Sequence, residues 1–227
     1  PETESFITGL LDWSGIPYTG SSVTTLTLAR NKHLTKYLLK GAGLPTADFV
    51  VVESLPAPRW NEVFPVMVKL AAQDGSVGVS QESVCTTHEE AEARVRFVLE
   101  QYGPPVLIER YIDGREFNVA VMELPELKGL PPLEIGFREI QAKWPILTYS
   151  GKWKPESAEY RTTPVQHPAE LPETHARNLQ HLAEQAYRLL GCRDYARVDF
   201  RMTSAGEAYI LEINPNPELS ETAGFCS

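Results

Sequence analysis

Two short segments near the C-terminus carry the residue types best suited to chemistry: Arg197-Val198-Asp199-Phe200 and Leu211-Glu212-Ile213-Asn214. Both read as strands flanking a Ser204-Ala205-Gly206 turn. Side chains alternate along a strand, so Arg197 and Asp199 share one face, and so do Glu212 and Asn214. Val198, Phe200, Met202, Leu211 and Ile213 are left for the core face. A loop of Ser204 to Glu207 pairs Thr203 with Ala208, which sets Asp199 opposite Glu212 and Arg197 opposite Asn214. Facing carboxylates repel and destabilise a strand pair unless something offsets them. A divalent cation would do so, because Asp, Glu and an Asn carbonyl are hard oxygen donors of the kind Mg²⁺ takes. The other reading is the wet polar face of an antiparallel sheet, with Arg197 as counter-ion.

Lys69 closes an apolar strand and precedes Gly75-Ser76-Val77-Gly78, whose backbone N–H groups can cradle an anion. No Gly-Lys-Ser/Thr follows, so this is not a Walker A loop, and an ordinary Gly-Ser turn is the other reading. Lys32 and Lys143, taken singly, read as solvated lysines. Glu109 and Glu116 bracket Asp113-Gly114 and, taken singly, read as surface charge at a hairpin end. His33, His88, His167, His175 and His181 lie in separate segments with no HExxH or nucleophile-elbow motif. His175 and His181, six apart on one helix, do not share a face.

The elements that must position these residues follow from periodicity. FITGLLDWSG has helical spacing and ends at Gly15. A second helix is predicted from Thr25 to Lys40, stopped by Gly41 and Gly43. DFVVV (48–52) and FPVMVKLAA (64–72) read as strands. Thr87-His88-Glu89-Glu90 is a capping-box pattern opening a helix that runs to Gly103. VLIERYI (106–112) and REFNVAVMEL (115–124) read as a hairpin through Asp113-Gly114, and LEIGFREI (133–140) as a further strand. Trp144 to Pro168 reads as a long surface loop, and a helix is predicted from Pro172 to Leu190 with Gly191 ending it. YARVDFRM (195–202) and EAYILEIN (207–214) complete the chain. Strands and helices without regular βαβ alternation predict an α+β architecture, divided near residue 113.

Among the 227 residues, 30 Asp+Glu against 21 Lys+Arg leave a net charge of −9, which argues against nucleic acid or an anionic membrane as general partner. Hydrophobic residues at 42% and charged residues at 22% are ordinary for a folded chain. No run approaches the roughly 18 apolar residues of a membrane span, and PETESFITGL has no signal-peptide pattern. Three scattered cysteines (Cys85, Cys192, Cys226) read as reduced thiols, so a cytoplasmic setting is expected.

Taken in order, GLLDWSGIPYTGS, NKHLTKYLLKGAGLPT, FPVMVK, GSVGV, VLIERYIDGREFNVAV, AKW, GCRDYARVDF and YILEIN resemble the ATP-grasp superfamily, and within it the D-alanine–D-alanine ligase group. That resemblance covers nearly the whole chain. It implies an ATP-grasp fold of two α+β lobes with antiparallel sheets holding nucleotide between them. It divides the chain into a helical linker remnant (1–44), a small lobe (45–113) and a large lobe with the metal site (114–227), the group's N-terminal domain being absent before Pro1. By resemblance, Lys32, Lys69 and Lys143 contact the nucleotide phosphates, together with the 73–79 loop and its Gly75, Ser76 and Gly78. Glu109 is the hinge acid near adenine, and Glu116 binds the ribose hydroxyls. Asp199, Glu212 and Asn214 match ligands of Mg²⁺, with Mn²⁺ the other candidate ion. Arg197 matches the arginine that stabilises the transferring phosphoryl group and the tetrahedral intermediate.

The implied reaction joins a small-molecule carboxylate to an amine through an acyl phosphate, with ATP converted to ADP. A nucleotide-binding module without ligase activity and a phosphotransferase are the rival readings. Either a further N-terminal domain or a second copy is the expected protein partner. Three positions depart from the group's pattern. Gly75 stands for the first of two serines, Trp144 for a tyrosine, and Pro217-Glu218-Leu219 for Pro-Gly-Met. These departures lead to the expectation that the product is not D-alanyl-D-alanine, and that Glu218 either selects a cationic amine or faces solvent. The 73–79 loop and the Trp144–Pro168 segment are expected to be mobile without nucleotide and to order with it.

Overall fold

The structure is a computed structural model that describes residues 2–58, 63–73, 75–137, 144–154, 156–166, 168–219 and 225. Its helices are α1 (Glu2–Ser14), α2 (Val23–Arg30), α3 (Lys32–Gly41), α4 (His88–Tyr102), α5 (Tyr149–Trp153), α6 (Ala158–Arg161) and α7 (Glu173–Leu190). Its first strands are β1 (Phe49–Val52), β2 (Val66–Leu70), β3 (Val84–Cys85), β4 (Val106–Arg110) and β5 (Arg115–Glu123). The remainder are β6 (Leu127–Gly129), β7 (Leu133–Ile135), β8 (Val165–Gln166), β9 (Tyr195–Met202) and β10 (Ala208–Asn214). No described helix is long and apolar enough to cross a membrane.

Two units result, one of residues 1–46, 113–135 and 165–227, the other of residues 47–112 and 136–164. This differs from the expected 1–44, 45–113 and 114–227 in two ways. The N-terminal helices join the C-terminal part because Thr25 Oγ1 donates to the carbonyls of Leu190 (3.1 Å) and Gly191 (2.8 Å), capping the end of α7. Residues 136–164 return to the other unit, where Gln81 and Val79 take up the backbone of Trp144 and Tyr149.

In the unit of 47–112 and 136–164, the sheet order is β1-β4-β2-β3, antiparallel throughout. Ala91, Val95 and Val98 of α4 pack on Val66, Val68, Val106 and Ile108. Thr87 caps α4 by accepting from the Glu90 N–H, and Gly103 ends it at φ +80. The expected long loop after Trp144 instead contains α5 and α6, each opened by a hydroxyl cap, Thr148 and Ser157.

In the other unit the sheet order is β10-β9-β5-β7-β8, with β6 also paired to β5. One face carries Phe117, Val119, Val198, Phe200 and Ile210 against Leu179, Ala183, Ala186 and Tyr187 of α7. The expected single helix over 25–40 is two, broken at Asn31 (φ −86, ψ 83). Polar side chains cover the break: Asn31 Nδ2 donates to the Thr27 carbonyl (2.7 Å) and Thr35 Oγ1 to that of Leu28 (2.8 Å). Of the expected strand 133–140, residues 133–135 are β7, and 138–140 lie outside the described residues.

Asp113-Gly114 is not a hairpin turn, because β4 and β5 belong to different sheets. Gly114 is required for another reason: a Cβ there would sit 2.0 Å from the Met202 carbonyl oxygen. The final hairpin also departs from expectation. Ala208 pairs with Met202, so the loop is Ser204–Gly206, one residue shorter than expected, with Gly206 at φ +85. A bulge between Ile210 and Glu212 then inserts one extra residue and restores Asp199 opposite Glu212 and Arg197 opposite Asn214. Leu211 accordingly leaves the core face, and Ala208 and Ile210 take its place.

Candidate functional site

The second face of the β5-β9-β10 strands is polar because the alternation that buries Phe117, Val198 and Phe200 turns their neighbours the other way. Register sets Glu116 opposite Arg201, Asn118 opposite Asp199 and Ala120 opposite Arg197 on β5 and β9. Asp199 lies at the centre. Arg197 donates to both its oxygens, Nε to Oδ1 at 2.7 Å and Nη2 to Oδ2 at 2.9 Å. Asn118 Nδ2 donates to Oδ1 (2.7 Å) and Asn214 Nδ2 to Oδ2 (3.0 Å).

Glu212 is paired with Lys32 Nζ at 3.0 Å, so the lysine at the start of α3 is no solvated side chain; it is 8% exposed. Burial alone would push the Arg197 guanidinium down, but the carboxylates of Asp199, Glu212 and Glu116 more than reverse this and raise it. Arg197 and Lys32 therefore already offset the facing carboxylates. The repulsion does not by itself demand a metal, and the donor set must be judged on its own chemistry.

Glu116 lies on the same face and is held by Arg201. Burial raises its carboxyl above the ordinary range; Arg201 opposes that shift, while Asp199 and Glu212 add to it.

The bulge that sets this register is held from outside the sheet. Thr46 Oγ1 donates to the Ile210 carbonyl (2.8 Å), and the Ile210 N–H donates to the Pro45 carbonyl (2.8 Å). Lys36 Nζ, fully buried one turn after Lys32 on α3, donates to Thr46 Oγ1 at 2.7 Å.

In the other unit Lys69 Nζ and Glu109 Oε1 form an ion pair at 2.5 Å, with side chains 12% and 4% exposed. Neither is surface charge: Met67 pairs with Glu109 and Lys69 with Leu107, so the two side chains meet on a diagonal across β2 and β4. Gly75 and Gly78 take φ +71 and +70, and Ser76 between them takes φ +59, a conformation uncommon for a residue with a Cβ. Glycine at 75 adopts it without that cost, which is a physical reason for Gly where the resemblance has serine. Lys143 lies outside the described residues.

Three contacts tie the glycine loop to its surroundings, and a fourth ties Gln81, just beyond it, to Trp144. Arg94 of α4 donates to the Gly78 carbonyl (2.6 Å), and Trp153 Nε1 to the Gly75 carbonyl (2.8 Å). Tyr149 N–H donates to the Val79 carbonyl (3.3 Å). The Gln81 carboxamide pairs with the Trp144 backbone as a strand would, donating to its carbonyl (3.2 Å) and accepting from its N–H (2.9 Å). These bonds lead to the expectation that the loop and the segment after Lys143 open together. Trp153→Phe keeps an aromatic ring and removes the donor. Limited proteolysis is expected to cut both segments of that variant faster, by about three- to tenfold, consistent with one lost hydrogen bond. Faster cutting in one segment alone would contradict the coupling.

Among the described residues no three His, Cys, Asp or Glu side chains group to hold a metal. Asp199, Glu212 and Asn214 do share one face, and two carboxylates with one carboxamide oxygen suit a hard cation that completes its shell elsewhere. A family model described as D-ala D-ala ligase C-terminus matches residues 38–227. The chain belongs to the D-alanine–D-alanine ligase C-terminal family.

Within that family, the D-alanine–D-alanine ligase of Desulforudis audaxviator is 36% identical over 226 residues, covering 96% of this chain and 69% of that protein. Uncharacterized protein y4sG of Sinorhizobium fredii is 33% identical over 221 residues, covering 96% of this chain and 62% of its own length. This chain therefore spans about two thirds of the length of these relatives. The D-alanine–D-alanine ligase of Bacillus anthracis complexed with ATP superposes with a TM-score of 0.75 at 24% identity, over 96% of this chain and 66% of that one. The fold is ATP-grasp. Relatives bearing the D-alanine–D-alanine ligase name do not support the expectation, drawn from Gly75, Trp144 and Glu218, of a different product. Glu218 itself is exposed just past β10.

Sequence reasoning missed Asn118, Arg201, Lys36, Thr46, Arg94, Gln81 and Trp153. The first two were within reach, because alternation through REFNVAV and YARVDFRM puts them on the faces of Glu116 and Asp199. The other five act through tertiary contacts that leave no local signal.

Proposed function

We propose that this chain carries the nucleotide and metal machinery of an ATP- and Mg²⁺-dependent ligase that joins a carboxylate to an amine and releases ADP. The observation that carries this reading is the polar face of β5, β9 and β10, where two carboxylates, two carboxamides and Arg197 meet beside Lys32. Asp199, Glu212 and Asn214 would hold the Mg²⁺. These residues would supply two anionic ligands and one carboxamide oxygen, a donor set that leaves room for other oxygen ligands on a hard cation. When bound, it neutralises phosphate charge.

Lys32 binds phosphate, and Arg197 neutralises first the transferring phosphoryl group and then the tetrahedral intermediate. In the other unit, Lys69 and the N–H groups of Gly75, Ser76 and Gly78 are assigned to phosphate, as is Lys143, and Glu109 to adenine. A carboxylate oxygen of the first substrate attacks the γ-phosphorus, the bond to the β,γ-bridging oxygen breaks, and ADP leaves. The amine then attacks the acyl carbon, loses a proton and expels inorganic phosphate. No side-chain nucleophile is required. The substrates are small molecules, and D-alanine is the first to try in both roles, since the relatives carry its name.

The test measures ADP release and ATP binding. ADP release is expected to require D-alanine or another amino acid that supplies both carboxylate and amine, and calorimetric ATP affinity to fall at least tenfold in EDTA, the loss of several kcal/mol of metal stabilisation being its upper range. ADP release with a carboxylate alone would instead make the protein a phosphotransferase. ATP binding without any acceptor-dependent turnover would leave a nucleotide-binding module.

A further inference from the structure

Arg201 lies two residues beyond Asp199 on β9, on the same face, and is 4% exposed. Its Nε and Nη2 donate to Glu116 Oε2 at 3.2 and 3.0 Å, and its Nη1 to the Gly114 carbonyl at 3.2 Å. Two bonds thus converge on one carboxylate oxygen. No described residue donates to the other, Oε1, and Glu116 retains some solvent exposure. A carboxylate pinned through one oxygen turns the second toward an incoming hydroxyl in a fixed direction.

Glu116 precedes Asn118 by two residues on β5, and Asn118 bonds Asp199. Glu116 therefore stands about 7 Å along the strand from Asn118, which faces Asp199. A ribose diol and the polyphosphate of one nucleotide are separated by a comparable span.

We propose that Arg201 is a positioning residue that sets the preference for a ribonucleotide, by fixing Glu116 so that Oε1 accepts a hydrogen bond from a ribose hydroxyl. This rests on the reading of ATP as the ligand. The guanidinium suits the task because its planar, rigid edge presents Nε–H and Nη2–H together to the same carboxylate oxygen, which a lysine ammonium does not. The anchor on the Gly114 carbonyl ties that fork to the start of β5, so the carboxylate and its holder are set by the same strand pair.

The experiment measures the affinity of the full chain for Mg²⁺-ATP, Mg²⁺-2′-deoxy-ATP and Mg²⁺-3′-deoxy-ATP by calorimetry. The unchanged protein is expected to prefer ATP over at least one deoxy analogue by about ten- to a hundredfold, the range of a hydrogen bond to a charged group. Glu116→Gln and Arg201→Leu should each bring that ratio to within about threefold of unity, and the double variant should lower it no further. General loosening of the fold would weaken all three nucleotides alike and leave the ratio intact. If Arg201→Leu does not fold, Arg201→Lys carries the test, with the ratio expected to fall at least about threefold. A full ratio in either Arg201 variant, with the ratio lost in Glu116→Gln, overturns the role of Arg201 while leaving ATP as the ligand. Failure of the unchanged protein to bind ATP overturns the reading beneath it.

Discussion

Glu212→Gln is expected to slow amino-acid-dependent ADP release at least about a hundredfold with little change in thermal stability. The residue faces Asp199 across the strand pair and is bonded to Lys32. Replacing one of two anionic ligands by a neutral amide weakens the hold on a divalent ion whose affinity depends on ligand charge. Stability changes little because two effects oppose each other. The facing repulsion with Asp199 is relieved, while the Gln carbonyl still accepts from Lys32, though without full charge. A coupled ADP assay beside thermal unfolding reads both quantities. Activity within threefold of the unchanged protein would remove Glu212 from the metal site.

Gly114→Ala is expected to cost at least about 3 kcal/mol of stability, with a lower urea midpoint, a far larger effect than a turn glycine would give. The added Cβ would lie 2.0 Å from the Met202 carbonyl oxygen and 2.7 Å from its carbon, both backbone atoms that cannot rotate away. The strands must part there, and Arg115 would lose its register with Met202. Gly43→Ala is the control: φ is +72 but nothing lies within 4 Å of the new Cβ, so only the backbone penalty of about 1–2 kcal/mol applies. Equal losses at the two positions would mean that the close approach is not what requires Gly114.

Local pattern carried much of this structure. Alternation in YARVDFRM and YILEIN put Asp199 with Arg197 and Glu212 with Asn214 on polar faces, and helix caps at Thr87 and Gly191 were readable from residue type. Even so, the right facing pair came from a wrong register. A four-residue loop was assumed where the chain uses three residues and a bulge, and the two differences of one residue cancel at Glu212. Leu211 shows the cost, since it was assigned to a core face that Ile210 occupies.

By itself, the sequence determined which residue types alternate on each strand, where most helices begin and end, and that lysines, carboxylates and a glycine loop occur in the order of an ATP-grasp ligase. Those are properties of neighbours along the chain, governed by periods of two and 3.6 residues. Tertiary structure alone decided which charges meet: Lys32 with Glu212, Lys69 with Glu109, Arg201 with Glu116. It also decided that Asp113-Gly114 passes between sheets instead of turning within one, and that Thr46, itself bonded by Lys36, holds the bulge from 164 residues away in sequence. Asp-Gly has the same local preference in either setting, and a buried lysine is indistinguishable from a solvated one until its partners are packed around it. Burial and pairing depend on what the rest of the chain brings to the same place, and no window of sequence contains that information.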